Sequence, residues 1–100
     1  MLHSRYSEEE LQELLWEFSS SDDKLRVVNR SGWEDELTYG KRIVVVWDYE
    51  TEKHYRVYFN RYGNDYEGYT YTVNDKTPEV QEKVISYKVW EDIGNYKIIE

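Results

Sequence analysis

The residue types that most often carry acid–base or metal chemistry are scarce in this chain. It has 2 histidines and no cysteine. A catalytic set combines a nucleophile or base with a second group that orients it, and neither His3 nor His54 has such companions in its surroundings. Zinc sites need several nitrogen or sulfur ligands at short spacing. We therefore expect no catalytic centre and no metal site built on histidine.

Carboxylates offer a second possible chemistry. Asp48, Glu50 and Glu52 alternate along the chain and could in principle hold a hard cation, but no turn glycine accompanies them at ligand spacing. The 5 glycines form no phosphate-cradling pattern. A glycosidase pair would need a cleft that a domain of this size rarely supports. The expectation is a non-enzymatic protein without a cofactor, with a small enzyme as a remaining alternative.

Tyrosine is the outstanding feature of the composition, with 11 in 100 residues. It gives a large, stiff contact area with a hydroxyl, and it is enriched at protein interfaces. The segment 62–69 mixes tyrosine, acid and glycine, and it predicts a partner-binding site that contains Tyr62, Asp65, Tyr66, Glu67 and Tyr69. The alternative is that tyrosines simply populate strands, which applies better to Tyr69 than to the turn residues Tyr62 and Tyr66.

The second candidate binding segment is a tryptophan followed by three acids, Trp33, Glu34, Asp35 and Glu36. An arginine or lysine of a partner could stack on the ring and pair with a carboxylate. The alternative is that Trp33 folds back and plugs the core.

The charge balance suggests the kind of partner. With 13 basic and 21 acidic residues the net charge is −8, spread along the chain. Such a field repels nucleic acid and anionic membranes and speeds encounter with basic surfaces. We therefore predict an inhibitor that covers a basic, nucleic-acid-binding site on a partner protein, such as a nucleic-acid-processing enzyme. Small anti-defence and immunity-type proteins share this size and acidity, an analogy of composition only.

Two other interpretations of the same features remain. The acids can serve solubility alone. Alternatively, a hollow lined by Tyr and Trp could bind a small molecule or a carbohydrate. The inhibitor hypothesis predicts a strong loss of binding with added salt, because exposed charge pairs are screened. The small-molecule hypothesis predicts a pocket with converging polar groups.

Length and patterning predict a single α+β domain over residues 1–100, acting as a monomer or a dimer. The chain lacks cysteine, a signal-peptide layout at its start and any apolar run of the ~20 residues that span a bilayer. These observations favour the cytoplasm.

One helix is predicted near the N-terminus. Ser7 and Glu10 have the spacing of a capping box. An apolar stripe recurs at helical spacing on Leu11, Leu14, Leu15 and Phe18. The serine- and aspartate-rich run 19–23 is expected to end the helix.

Period-two patterns predict the strands. They cover Leu25–Arg30, Arg42–Tyr49, His54–Arg61, Tyr69–Val73, about Lys83–Glu91 and Tyr96–Ile99, with 33–36 as a connection and a helical turn at 77–79. The second strand is expected to be central and covered on both faces. A three-residue hairpin loop should pair Trp47 with Val57 and Tyr49 with Tyr55. The predicted architecture is an N-terminal helix packed on an antiparallel meander of five or six strands.

Overall fold

The computed structural model describes residues 2–85, 88 and 90. A 3-10 turn, Leu2–Ser4, precedes the helix α1, Glu8–Gln12, and a second 3-10 turn follows at Glu13–Leu15. Six strands come next: β1 Leu25–Arg30, β2 Glu34–Glu36, β3 Tyr39–Asp48, β4 Lys53–Asn64, β5 Gly68–Val73 and β6 Glu79–Val80.

The strands form one curled antiparallel sheet with the order β1-β3-β4-β5. The short β2 pairs with the first residues of β3, beside β1, and the short β6 pairs with the first residues of β4, beside β5. Consecutive strands therefore either pair with each other or pair with the same edge of a shared neighbour, as β1 and β2 do on β3 and β5 and β6 do on β4. The α+β class is confirmed in its coarse form, since the described residues are mostly antiparallel sheet with one short α-helix. No helix in the described part of the chain has the length and apolarity needed to cross a membrane.

The start of α1 follows the predicted local chemistry. Ser7 Oγ accepts a hydrogen bond from Glu10 N at 3.1 Å, and Glu10 Oε1 accepts one from Ser7 N at 3.0 Å. The capping box is thus confirmed. The helix is shorter than predicted, because the 3-10 turn begins at Glu13 and Phe18 O then accepts a hydrogen bond from Val27 N in β1. The prediction that Phe18 continues the buried stripe is wrong, since it is 75% exposed.

The capping box gives a direct test of helix stability. Replacing Ser7 by alanine should lower the free energy of unfolding by about 1 kcal/mol, because the Glu10 N–H loses its acceptor. Urea denaturation measures the change. Ser21→Ala is the matched control, since Ser21 is exposed and should shift stability by no more than about 0.5 kcal/mol. Equal stability of the two variants would contradict the role of the cap.

The hydrophobic core lies on the inner face of the sheet. Its strand residues are Leu25, Val44, Val46, Val57, Phe59 and Val73, and its N-terminal residues are Leu2, Tyr6, Leu11, Leu14 and Leu15. Removing apolar surface of this kind from water is the main favourable contribution to folding. The N-terminal segment therefore covers one part of the inner face and leaves the rest of that face to other side chains.

The hairpin between β3 and β4 has a different register from the predicted one. Trp47 pairs with His54 and Asp48 with Lys53, so the loop has four residues, 49–52. The predicted three-residue loop is wrong because Asp48, which is fully buried, organises the turn: its carboxylate accepts hydrogen bonds from Glu50 N at 3.0 Å and from Thr51 Oγ1 at 2.9 Å. A one-residue change of register exchanges the two faces of a strand.

This register turns Val44 and Val46 inward and leaves Ile43, Val45 and Trp47 on the outer face. The central place of β3 in the sheet is confirmed. Coverage of both its faces is not confirmed, because on the outer face Ile43 is 37% exposed and Val45 and Trp47 are only half-buried.

Further differences concern the connections. Residues 34–36, expected in a loop, form β2 because they pair with 39–41 across a two-residue turn. The helical turn at 77–79 is absent. Thr77 is buried and its Oγ1 accepts a hydrogen bond from Leu2 N at 3.1 Å, so it does not cap a helix, and Glu79–Val80 joins the sheet as β6.

The last two predicted strands, about Lys83–Glu91 and Tyr96–Ile99, lie partly and wholly outside the described residues, respectively. Residues 83–85, 88 and 90 are described and are not in a strand. The rest of Lys83–Glu91 and all of Tyr96–Ile99 lie outside the described residues. The sheet reaches six strands through β2 and β6, which were not among the predicted ones.

Candidate functional site

The two segments predicted to bind a partner lie together at one end of the sheet. The first residue of β3, Tyr39, pairs with Tyr62 near the end of β4, and Gly63 N donates to Thr38 O at 3.0 Å. The turn between β2 and β3 and the turn between β4 and β5 are therefore neighbours. We call this surface the sheet tip and define it as Glu34, Asp35, Glu36, Leu37, Tyr62, Asp65, Tyr66 and Glu67.

Arg61 connects the two halves of the tip. Its Nη2 donates to both carboxylate oxygens of Asp35, at 3.0 and 2.9 Å, and this hydrogen bonding raises the pKa of Arg61. Its guanidinium carbon lies 4.3 Å from the ring centroid of Trp33 and 4.3 Å from that of Tyr69. Such a cation between two rings is attracted by both π systems. The chain itself thus supplies a cation where a partner's cation was expected.

Trp33 accordingly supports the tip from within. It is half-buried against the core, and its ring centroid lies 5.9 Å from that of Tyr71. This arrangement corresponds to the predicted alternative in which the tryptophan folds back. That Trp33 also contacts a partner stays a prediction.

A small residue makes room for the ion pair. Gly40 is buried in β3, and a Cβ at this position would collide with Asp35 Oδ1 and lie 3.3 Å from Arg61 Cγ. A side chain at position 40 would therefore displace the ion pair. The sequence alone does not assign Gly40 or Arg61 to the site, because only the pairing of β2, β3 and β4 brings them next to Asp35.

The turn between β4 and β5 is shaped by its own side chains. Asn64 Oδ1 accepts hydrogen bonds from Tyr66 N at 2.9 Å and from Glu67 N at 2.8 Å, which is how an asparagine closes a turn on the backbone. Tyr69 Oη donates to Asp65 Oδ1 at 3.0 Å, and this bond raises the pKa of Tyr69. The turn leaves Tyr66 completely exposed, with a relative accessibility of 101%.

Leu37 belongs to the tip, although the sequence patterns did not predict it as a site residue. It occupies a two-residue turn with a φ of 42° and a relative accessibility of 104%. A bulky side chain at positive φ is disfavoured, and asparagine or glycine is usual there. Neither packing nor turn preference explains a leucine at this position. The sequence signal that could have identified Leu37 is that the short connection Glu36-Leu37-Thr38-Tyr39 contains neither glycine nor asparagine.

The tip carries more carboxylates than the ion pair with Arg61 neutralises. Its carboxylates belong to Glu34, Asp35, Glu36, Asp65 and Glu67, and within the described residues only Asp35 forms an ion pair. Tyr62, another predicted site residue, is 48% exposed and packs on Tyr39 with ring centroids 5.2 Å apart. The result is a set of exposed apolar side chains among free carboxylates.

A chain of aromatic contacts leads from Tyr69, next to the tip in β5, to the end of the helical segment. The ring of Tyr69 lies 6.3 Å from that of Tyr71, which in turn lies 5.3 Å from Trp16 in an edge-to-face arrangement. Trp16 is 58% exposed. Beside it is an open groove of about 590 Å³ whose acidic residues are Glu13, Glu17 and Asp23.

The fold and this site define a small, mostly antiparallel α+β domain that presents exposed aromatic, aliphatic and acidic side chains on two adjacent hairpin turns. The chain belongs to the Phage T4 Y04K protein family, whose family model matches residues 3–93. The comparisons with curated proteins and with solved structures found no match.

Proposed function

We propose that this protein is a non-enzymatic binding module that uses the sheet tip to cover a basic, nucleic-acid-binding site on a partner protein and so inhibits it. The observation that carries the proposal is the complete exposure of Leu37 and Tyr66 at the same end of the sheet. They lie among tip carboxylates of which only Asp35 forms an ion pair within the described residues. Protein interfaces commonly combine a few apolar or aromatic anchors with a polar rim. The tip has two such anchors, Leu37 and Tyr66, and a polar rim of carboxylates.

The electrostatics favour a basic partner. The net charge of −8 and the free carboxylates of the tip give a negative field that steers basic surfaces toward it and disfavours nucleic acid itself as a ligand. A family named after a phage protein agrees with the anti-defence version of this proposal. The partner would then be a nucleic-acid-processing enzyme of the cytoplasm.

A binding experiment tests the role of the tip. The protein is used to capture partners from a bacterial lysate, and the affinity for the purified partner is then measured by calorimetry. Replacing Leu37 and Tyr66 together by serine should weaken binding by about 10- to 100-fold, because interface anchors typically contribute more than 1 kcal/mol each. Binding of the unaltered protein should also weaken steeply as salt is added.

The matched control is Val28→Thr, since Val28 is 49% exposed on the outer face of β1, away from the tip. This variant should bind as tightly as the unaltered protein. Binding that is indifferent to salt, or equal in the tip variant and the control, would refute the proposal.

A further inference from the structure

Three arginines occupy neighbouring strands on the inner face of the sheet, beyond the hydrophobic core. Arg30 of β1 pairs with Val44 of β3, which points into the core. Arg42 and Arg61 each lie two residues along their strand from a core residue, Val44 and Phe59 respectively. Because side chains two apart in a strand share a face, the three guanidinium groups are on the same side of the sheet.

Carboxylates among the described residues balance the charges of these arginines only in part. Arg61 pairs with Asp35. Arg42 donates from Nε to Ser31 O at 2.7 Å, and among the described residues its two Nη groups have no hydrogen-bond partner. Arg30 donates through one Nη to Leu14 O and Glu17 O. Within the described part of the chain, three guanidinium charges therefore meet one carboxylate.

Two further observations show that the cluster is electrostatically unfavourable as it stands. Burial, followed by the charges of Arg30 and Arg61, lowers the pKa of Arg42. Among the residues that the structure describes, the buried Nε of Arg30 has no hydrogen-bond partner. Mutual repulsion and an unsatisfied buried donor both destabilise the folded protein. The chain has 21 acidic residues, yet within the described residues Asp35 alone forms an ion pair with this cluster.

An aromatic ring lies against two of the three arginines. The guanidinium carbon of Arg42 lies 5.3 Å from the ring centroid of Trp33, the same ring that Arg61 covers. Tyr71 packs beside Trp33. Arg30, Arg42, Trp33 and Tyr71 are half-buried, so each keeps some contact with solvent. Guanidinium groups match the geometry of phosphate oxygens, and aromatic rings accept a flat group by stacking.

We propose that Arg42 and Arg30, with the rings of Trp33 and Tyr71, form a binding site for the phosphate group of a small molecule. A bound oxyanion would accept hydrogen bonds from the free Nη groups of Arg42 and reduce the repulsion within the arginine cluster. The phosphate could come from inorganic phosphate or from a nucleotide whose base stacks on a ring. Nucleic acid is disfavoured by the overall charge of −8. This site faces the inner side of the sheet and does not depend on the partner proposed for the tip.

Thermal unfolding in the presence of defined anions tests the proposal. A ligand that binds only the folded protein raises Tm as its concentration rises. Inorganic phosphate should therefore raise Tm progressively above the value found in sodium chloride of the same ionic strength. Adenosine monophosphate forms the second arm: a larger shift than with phosphate at equal concentration indicates a nucleotide, and an equal or smaller shift indicates free phosphate.

Variants locate the effect. Arg42→Gln should abolish the phosphate-dependent shift. Arg56→Gln should retain it, because Arg56 lies on the outer face, where its Nη1 donates to Tyr58 Oη. The Leu37/Tyr66 double serine variant should retain it too, so that this proposal and the tip proposal can fail separately.

A measurement on the unaltered protein covers the case in which Arg42→Gln does not fold. In NMR spectra the Nε–Hε signals of Arg30 and Arg42 should move as phosphate is added, while that of Arg56 should not. The proposal is overturned if phosphate acts no differently from chloride, if Arg42→Gln keeps the shift, or if only DNA oligonucleotides bind.

Discussion

Replacing Asp48 by alanine is expected to lower the free energy of unfolding by about 3 kcal/mol, the lower end of the range for breaking a buried ion pair. Asp48 is fully buried, and its carboxylate accepts hydrogen bonds from the Arg5 guanidinium, Thr51 Oγ1 and Glu50 N. The variant leaves these donors without their acceptor. The lower end of the range applies because the Arg5 side chain is 29% exposed and can regain water. Urea denaturation at neutral pH measures the loss.

Acid should reduce the contribution of Asp48. Burial alone would raise the pKa of Asp48, but the hydrogen bonds from Arg5, Thr51 and Glu50 N outweigh burial and hold the pKa below its ordinary value. A carboxylate whose pKa is lowered by folding stabilises the protein fully above its unfolded pKa of about 3.9, and this stabilisation is lost as the pH falls through the folded pKa. The stability difference between the unaltered protein and Asp48→Asn should therefore shrink below about pH 4.

Glu50→Gln provides the control for both measurements. Glu50 also pairs with Arg5, but its side chain is 47% exposed, so its loss should cost no more than about 1 kcal/mol. A loss in Asp48→Ala as small as that in Glu50→Gln would show that the buried carboxylate does not hold the hairpin together.

Replacing Arg61 by glutamine should lower the free energy of unfolding by about 1 to 3 kcal/mol, the combined effect of two cation–π contacts and a surface ion pair. The same change should loosen the tip, because Arg61 is the side chain that contacts Trp33, Asp35 and Tyr69. Chemical denaturation gives the stability change. Near-ultraviolet circular dichroism reports the altered environment of the rings.

Arg61→Lys separates charge from shape. Lysine keeps the positive charge but loses the flat guanidinium that lies between two rings and donates to both oxygens of Asp35. It should therefore recover less than half of the stability lost in Arg61→Gln. Full recovery by lysine would mean that only the charge matters and that the stacked geometry has no energetic role.

The local features of the fold could be predicted with good accuracy. The capping box at Ser7 and Glu10 was predicted correctly because it depends on residues three apart. The strands over 25–30 and 69–73 were also predicted, because alternation of apolar and polar side chains is a local pattern. Larger errors arose where a residue distant in sequence takes a hydrogen bond that the local pattern had assigned elsewhere. Val27 N of β1 donates to Phe18 O, so the helix ends before Phe18. Thr77 Oγ1 accepts from Leu2 N and does not cap a helix.

In the candidate site, too, local features could be predicted and contacts between distant residues could not. Sequence composition singled out the segments 33–36 and 62–69, but it could not show that they meet, and it missed Leu37, Gly40 and Arg61. Those assignments depend on the pairing of β2 with β3 and of β3 with β4.

The sequence by itself determined the helix start, the main strand segments and an acidic, tyrosine-rich composition, because these follow from residues close together in the chain. Only the tertiary structure decided which face of β3 is buried, which cation covers Trp33 and which arginines lie together. The physical reason is that strand register is set by side chains far apart in sequence, such as Asp48 with Arg5, and a shift of one residue turns every side chain to the opposite face.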